Sequence, residues 1–116
     1  MTGVAKMLMA AAGAGQYAQT YSITPAANNI DEGSPLTINV STTNVADGTT
    51  LYWTANPSSE LDDTDGSVQI LNNAASFTIT PTEDFTTYPE TNIFAVELRT
   101  TSISGTIVAT SSNITI

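Results

Sequence analysis

The stretch Asn44-Val45-Ala46-Asp47-Gly48-Thr49-Thr50-Leu51-Tyr52-Trp53-Thr54 decides the fold class of this chain. Asp47-Gly48 is a strong turn signal, because Gly tolerates positive φ and Asp can bond its own backbone. The runs on either side alternate apolar with polar residues. Before the turn, Leu36, Ile38 and Val40 fall on one face; after it, Leu51 and Trp53 share a face with Tyr52 opposite. The pattern predicts two half-buried strands, residues 36–42 and 50–55, joined as a hairpin. Trp53, the single tryptophan, is the predicted centre of a small β core with Ile38, Val40, Val68, Phe77, Phe94, Val96 and Leu98.

The same period continues outward. Tyr21-Ser22-Ile23-Thr24 reads as a first strand ended by Pro25, and residues 28–33 as a turn-rich link. Residues 56–66 are polar and broken by Pro57 and Gly66, which makes a loop. Residues 67–71 and 76–80 form a second predicted hairpin about Asn72-Asn73, with Val68, Ile70, Phe77 and Ile79 inward and Pro81 as the stop. After an acidic loop over residues 82–90, residues 92–100 carry Phe94, Val96 and Leu98 on one face and Glu97 and Arg99 on the other. Ser104-Gly105 turns the chain into a last strand region, residues 106–116, interrupted near Ser111-Ser112. Seven strands with turns every eight to twelve residues mean a sandwich or a small barrel, and the length favours a sandwich.

Residues 1–16 differ from the rest. Val4-Ala5-Lys6-Met7-Leu8-Met9-Ala10-Ala11-Ala12 has high helix propensity and is broken by Gly13-Ala14-Gly15. Its apolar core is too short for a secretory signal peptide or a membrane span. The expected organisation is an N-terminal docking or oligomerisation segment, residues 1–16, followed by one β-sandwich domain, residues 17–116.

Composition removes most chemistry. The 116 residues include no Cys and no His, and two basic side chains, Lys6 and Arg99, against eleven acidic ones, for a formal charge of −9. There is no disulfide and no thiolate, and zinc, copper or haem ligation is disfavoured. With so few cations the chain is a poor partner for nucleic acid or for an anionic membrane surface. No side chain is placed to activate a Ser or Thr nucleophile. Paired carboxylates such as Asp62 and Asp84 would need a substrate groove larger than this chain provides, so no catalytic residues are expected.

Several blocks resemble the Calx-β family of extracellular β-sandwich modules, and more closely a branch of it found in structural proteins of marine tailed phages. They are Ile30-Asp31-Glu32-Gly33 leading into Leu36-Thr37-Ile38-Asn39-Val40, then residues 43–53, Gly66-Ser67-Val68, Phe77-Thr78-Ile79-Thr80-Pro81, Glu90-Thr91 before Phe94, and Leu98-Arg99-Thr100 with residues 102–111. Lys6-Met7-Leu8-Met9-Ala10-Ala11-Ala12-Gly13 resembles the leader of otherwise unrelated phage virion proteins. The resemblance implies an all-β, Ig-like/Calx-β-like antiparallel sandwich of about seven strands with a short N-terminal appendage. It also implies a virion component that docks through Val4, Met7, Leu8, Met9, Ala10 and Ala11 to capsid or tail proteins and to copies of itself.

Calx-β modules hold calcium on loop carboxylates, and Glu32, Asp62, Asp65, Asp84 and Glu90, with Asp63 beside them, are the candidates here. Thr87-Tyr88-Pro89-Glu90 departs from the family's acidic stretch, so the expectation is an acidic end that is solvated, with calcium as the alternative. Competing readings are an adhesion module that stacks Tyr52 or Tyr88 on host surface glycans, and a polymerising extracellular filament subunit.

Overall fold

A computed structural model describes residues 18–58, 60–83 and 92–116. The segment expected to dock, with Val4, Met7, Leu8, Met9, Ala10 and Ala11, lies outside the described residues, as do Asp84, Tyr88 and Glu90. Eight strands follow one another: β1 Thr20–Pro25, β2 Leu36–Thr43, β3 Thr50–Asn56, β4 Asp65–Gln69, β5 Ala74–Ile79, β6 Ile93–Thr100, β7 Ile107–Thr110 and β8 Ile114–Thr115. Two antiparallel sheets face each other. One has the order β1-β2-β5; the other has the order β4-β3-β6-β7, with β8 also on β6. The protein is an all-β sandwich, as the alternation implies.

Burial follows the period of two. In β2 the pattern alternates strictly, with Leu36, Ile38, Val40 and Thr42 inside, and β6 buries Phe94, Val96 and Leu98. Of the expected core, Ile38, Val40, Trp53, Phe94, Val96 and Leu98 are buried, while Val68 and Phe77 are partly buried and pack against it. Leu51, Ile70, Ile79, Ile114 and Pro81 are fully enclosed with Ile38, Val96 and Leu98.

Both predicted hairpins are wrong in their pairing. β2 pairs with β1 and β5, whereas β3 pairs with β4 and β6, so the Asp47-Gly48 turn carries the chain from one sheet to the other. The turn at Asn72-Asn73 likewise connects β4 to β5 across the sandwich. The reason is physical: alternation says which face of a strand is buried, but inward faces of opposed sheets share one core and look alike in sequence. Six residues, 44–49, reach about 20 Å when extended, ample for the ~10 Å between packed sheets.

The turn chemistry itself was read correctly. Gly48 has φ of 88° with open space around its Cβ position, so its backbone conformation is what selects glycine there. Asn72 and Asn73 have φ of 53° and 60°, and Leu71 and Ala74 exchange backbone hydrogen bonds around them.

The two crossovers interlock. The Asn73 Oδ1 accepts from the Thr42 hydroxyl (2.9 Å) and from the Val45 N–H (3.2 Å), and the Asn73 carbonyl accepts from the Thr42 N–H (2.9 Å). Asp47 Oδ1 accepts from the Asn72 N–H at 2.8 Å, and the Gly48 N–H donates to the Ile70 carbonyl at 2.7 Å. Val45, buried at 5% exposure, anchors the first crossover to the core.

At the centre, the Trp53 indole of β3 stacks on Phe77 of β5, from the opposite sheet, with centroids 4.5 Å apart and planes 10° from parallel. Gly66, read from sequence as the end of a loop, is instead in β4 and sits directly across from Trp53. A Cβ there would lie 2.8 Å from the indole Nε1, so the absence of a side chain leaves room for the ring.

The last strand region divides as expected. β7 pairs with the end of β6 nearer the Thr101–Thr106 turn and β8 with the other end of β6. Between them the buried Ser111 hydroxyl accepts from the Val96 N–H at 2.9 Å, and the Ser111 N–H donates to the Val96 carbonyl at 2.9 Å, so the ladder of β6 stays satisfied across the break.

Trp53→Ala should destabilise the domain by roughly 3–5 kcal/mol, and Gly66→Ala by about 1–3 kcal/mol through overpacking against the indole. Both are read from urea midpoints at constant m. Asn73→Ala should lose roughly 0.5–1.5 kcal/mol, because it removes the acceptor of the Thr42 hydroxyl and the Val45 N–H at a partly buried seam. An Asn73→Ala protein as stable as the parent would show that the crossovers hold without this clasp.

Candidate functional site

The strand directions give the sandwich two unlike ends. The crossovers 44–49 and 70–73 and the β6–β7 turn, residues 101–106, lie at one end. The chain enters there too: β1 pairs Thr20 with Thr43, Asn44 Nδ2 donates to the Ala18 carbonyl (2.9 Å), and Gln19 Nε2 donates to the Asn44 carbonyl (3.3 Å). Ala18 and Gln19, just before β1, therefore lie at this crossover end.

The opposite end gathers the charge. Asp31 and Glu32 lie in the β1–β2 link, Glu60, Asp62 and Asp63 in the β3–β4 link, Asp65 opens β4, and Glu83 follows β5. The other described acids are Asp47, at the crossover end, and Glu97, in β6. Short ladders build this acidic end. Leu61 and Pro81 form an antiparallel bridge, with Asp62 N–H donating to the Thr80 carbonyl (3.1 Å) and Thr82 N–H to the Glu60 carbonyl (2.9 Å). The Gly33 N–H donates to the Pro81 carbonyl at 2.9 Å and so ties the β1–β2 link to them. Asn29 bridges Thr115 in parallel, which closes the sandwich on its other side.

The structure does not gather the described calcium candidates into a ligand set. Asp62 Oδ1 accepts from the Thr82 hydroxyl at 2.8 Å, Asp65 stands in the ladder opposite Thr54, and Glu32 is half-buried in its link. Among the described residues no three of His, Cys, Asp and Glu stand close enough to hold a metal ion. Calcium needs six to eight oxygens, usually with several converging carboxylates, so any site at this end would have to draw on residues 84–91.

The one cation among the described residues is spoken for. Arg99 donates through Nη2 to Glu97 Oε1 (3.0 Å), through Nε to the Thr54 hydroxyl (3.1 Å) and through Nη1 to the Gly105 carbonyl (2.9 Å). This network lies on the outward face of the five-stranded sheet, where Tyr52 is in register with Ser67 on one side and Arg99 on the other. Tyr52, a candidate for stacking on sugar, is half-buried in that row rather than standing free.

Sequence reasoning missed four positions that shape these ends. The acceptor role of Asn73, the tether from Asn44 to Ala18, the space left by Gly66 and the patch by Ser111 are all contacts between segments far apart in the chain. Asn72-Asn73 carried a local signal as a turn, Ser111-Ser112 as a break and Gly66 as a breaker, but none of these signals names its distant partner. No helix among the described residues is long and apolar enough to cross a membrane. Comparison with family models, curated proteins and solved structures gave no match.

Chelation tests the acidic end. A site occupied at one hundred times its dissociation constant would stabilise the fold by about 2.7 kcal/mol, which for a domain of this size is on the order of ten degrees in Tm. With solvated carboxylates, EDTA added to protein prepared in calcium should move Tm by less than about two degrees. A loss near ten degrees would establish calcium and direct mutagenesis to Asp84 and Glu90.

Proposed function

We propose that this chain is a bacteriophage virion structural protein, a capsid-decoration or tail- or fibre-associated component, that docks by its N-terminal segment and displays the β-sandwich outward. The observation that carries this reading is the place where the chain enters the fold. Ala18 and Gln19 are tied to Asn44 at the crossover end, and the acidic loops lie at the other. A docking peptide attached there holds the body by one end and leaves the charged end facing away. The resemblance of the leader and of the strand blocks to marine phage virion proteins supplies the rest of the argument. Its partners on this reading are other virion proteins and copies of itself, with no nucleic acid and no membrane insertion, and its location is the virion.

All eight strands among the described residues lie after residue 19. A chain that starts at Tyr17 should keep the circular dichroism spectrum and Tm of the parent but lose incorporation into particles, measured side by side by mass spectrometry of purified virions. Normal incorporation of the shortened chain would sink the docking reading.

The adhesion reading keeps one observation in its favour, the row of Tyr52, Arg99 and Ser67 on an outward sheet face. Retention on a glycan array that disappears in Tyr52→Ala would promote it.

A further inference from the structure

We propose that the Asp47-Gly48 bond is a site of self-modification, at which the backbone rearranges to isoaspartate, and that the interlock of the two crossovers decides when it does so.

The chemistry needs an aspartate followed by an unhindered amide. The Gly nitrogen attacks the Asp Cγ, so that an N–Cγ bond forms, and the carboxyl gives up its hydroxyl, which leaves as water with the amide proton. The product is a succinimide ring, and water reopens it. Addition of water at Cγ restores aspartate. Addition at the main-chain carbonyl carbon breaks the bond from that carbon to the Gly nitrogen, and the backbone afterwards runs through Cγ as isoaspartate. One water leaves and one returns, with no other reactant. Glycine favours the attack because it has no Cβ to crowd the nitrogen and turns freely about φ.

The chain has two such dipeptides, Asp47-Gly48 and Asp65-Gly66, and the fold holds them differently. Asp65 and Gly66 lie within β4, in register with Thr54 and Trp53, and Gly66 faces the indole. Turning that amide toward the Asp65 carboxyl means parting β4 from β3. Asp47 and Gly48 are exposed in the turn between β2 and β3, and Gly48 has nothing within 4 Å of the place where a Cβ would stand. Space for the ring is present there. Two hydrogen bonds keep the reacting groups apart. The Asn72 N–H holds Asp47 Oδ1 at 2.8 Å, and the Ile70 carbonyl holds the Gly48 N–H at 2.7 Å. Carboxyl and amide are thus both tied to the β4–β5 crossover, and both come free when residues 70–73 draw away from residues 44–49. Asn73, through Thr42 and Val45, holds that seam shut.

Such a local opening lies below global unfolding in free energy, so the 47–48 bond is released more often than the 65–66 bond. Rearrangement while the seam is open makes the change permanent. Isoaspartate at 47 adds one carbon to the main chain and leaves the carboxylate directly on Cα, so neither the bond to Asn72 nor the bond to Ile70 re-forms in its former register. A transient opening becomes a lasting loosening of the crossover end.

The full chain is aged in neutral buffer, folded and unfolded in guanidinium chloride, then cut by a Glu-specific protease. Cleavage places Asp47 in the peptide 33–60 and Asp65 in the peptide 61–83, and electron-transfer fragmentation counts isoaspartate in each. In the folded parent, isoaspartate at 47 should form at least about tenfold more slowly than in the unfolded chain, yet faster than at 65. Asn73→Ala should raise the folded-state rate at 47 by about two- to tenfold and raise the ratio of 47 to 65 with it. Ser111→Ala, which removes the acceptor of the Val96 N–H away from the crossovers, should leave that ratio as in the parent. A folded parent that rearranges at 47 as fast as the unfolded chain, or more slowly than at 65, would overturn the proposal. So would an Asn73→Ala chain that leaves the ratio unmoved, or a Ser111→Ala chain that shifts it equally.

Discussion

The stack of Trp53 on Phe77 is the contact on which the sandwich depends, because it is made between the sheets and not within one. A sheet with one apolar face is stable only when something covers that face, and here the largest apolar side chain of one sheet lies flat against an aromatic ring of the other. Its geometry constrains the neighbours. The strand beside Trp53 must have no side chain at position 66, and β4 therefore runs past the indole as a glycine. The hydrophobic positions of β2, β5 and β6 then fill the layer around it, with Ile38, Ile79, Val96 and Leu98 wholly removed from water.

What links those sheets was legible only in part. The strands themselves, the inward residues and the break near Ser111-Ser112 could be read because each is a property of a few consecutive residues: a period of two, a turn dipeptide, a proline. Asp47-Gly48 and Asn72-Asn73 announced turns for sound stereochemical reasons. Which strand each turn delivers the chain to is a different kind of fact. It depends on β2 finding β5 and β3 finding β6, pairings across more than thirty and forty residues that leave no trace in local alternation. Asn73 shows the limit well, since its side chain closes the seam on Thr42 and Val45, neither of which it resembles a partner for in sequence.

The candidate sites divide along the same line. The carboxylates were easy to find, yet whether they converge is a matter of loop geometry, and Asp62 turns to the Thr82 hydroxyl while Asp65 is held in a strand. In sequence Arg99 shares with Glu97 the face opposite Phe94, Val96 and Leu98; the sheet places Glu97, Thr54 and the Gly105 carbonyl around its guanidinium, which thereby holds the β6–β7 turn.

The separation of the acidic loops from the end where the chain enters gives the molecule an electric dipole directed along its strands. Copies fixed side by side through their crossover ends, where Asp47 is the one described acid, would carry a negative layer at strand length from the support. Counterions would collect in that layer, and lateral repulsion within it would set how closely neighbours stand, tightening as salt shortens the screening distance. The spacing of such an array would then be governed by the medium around it as much as by the surface beneath.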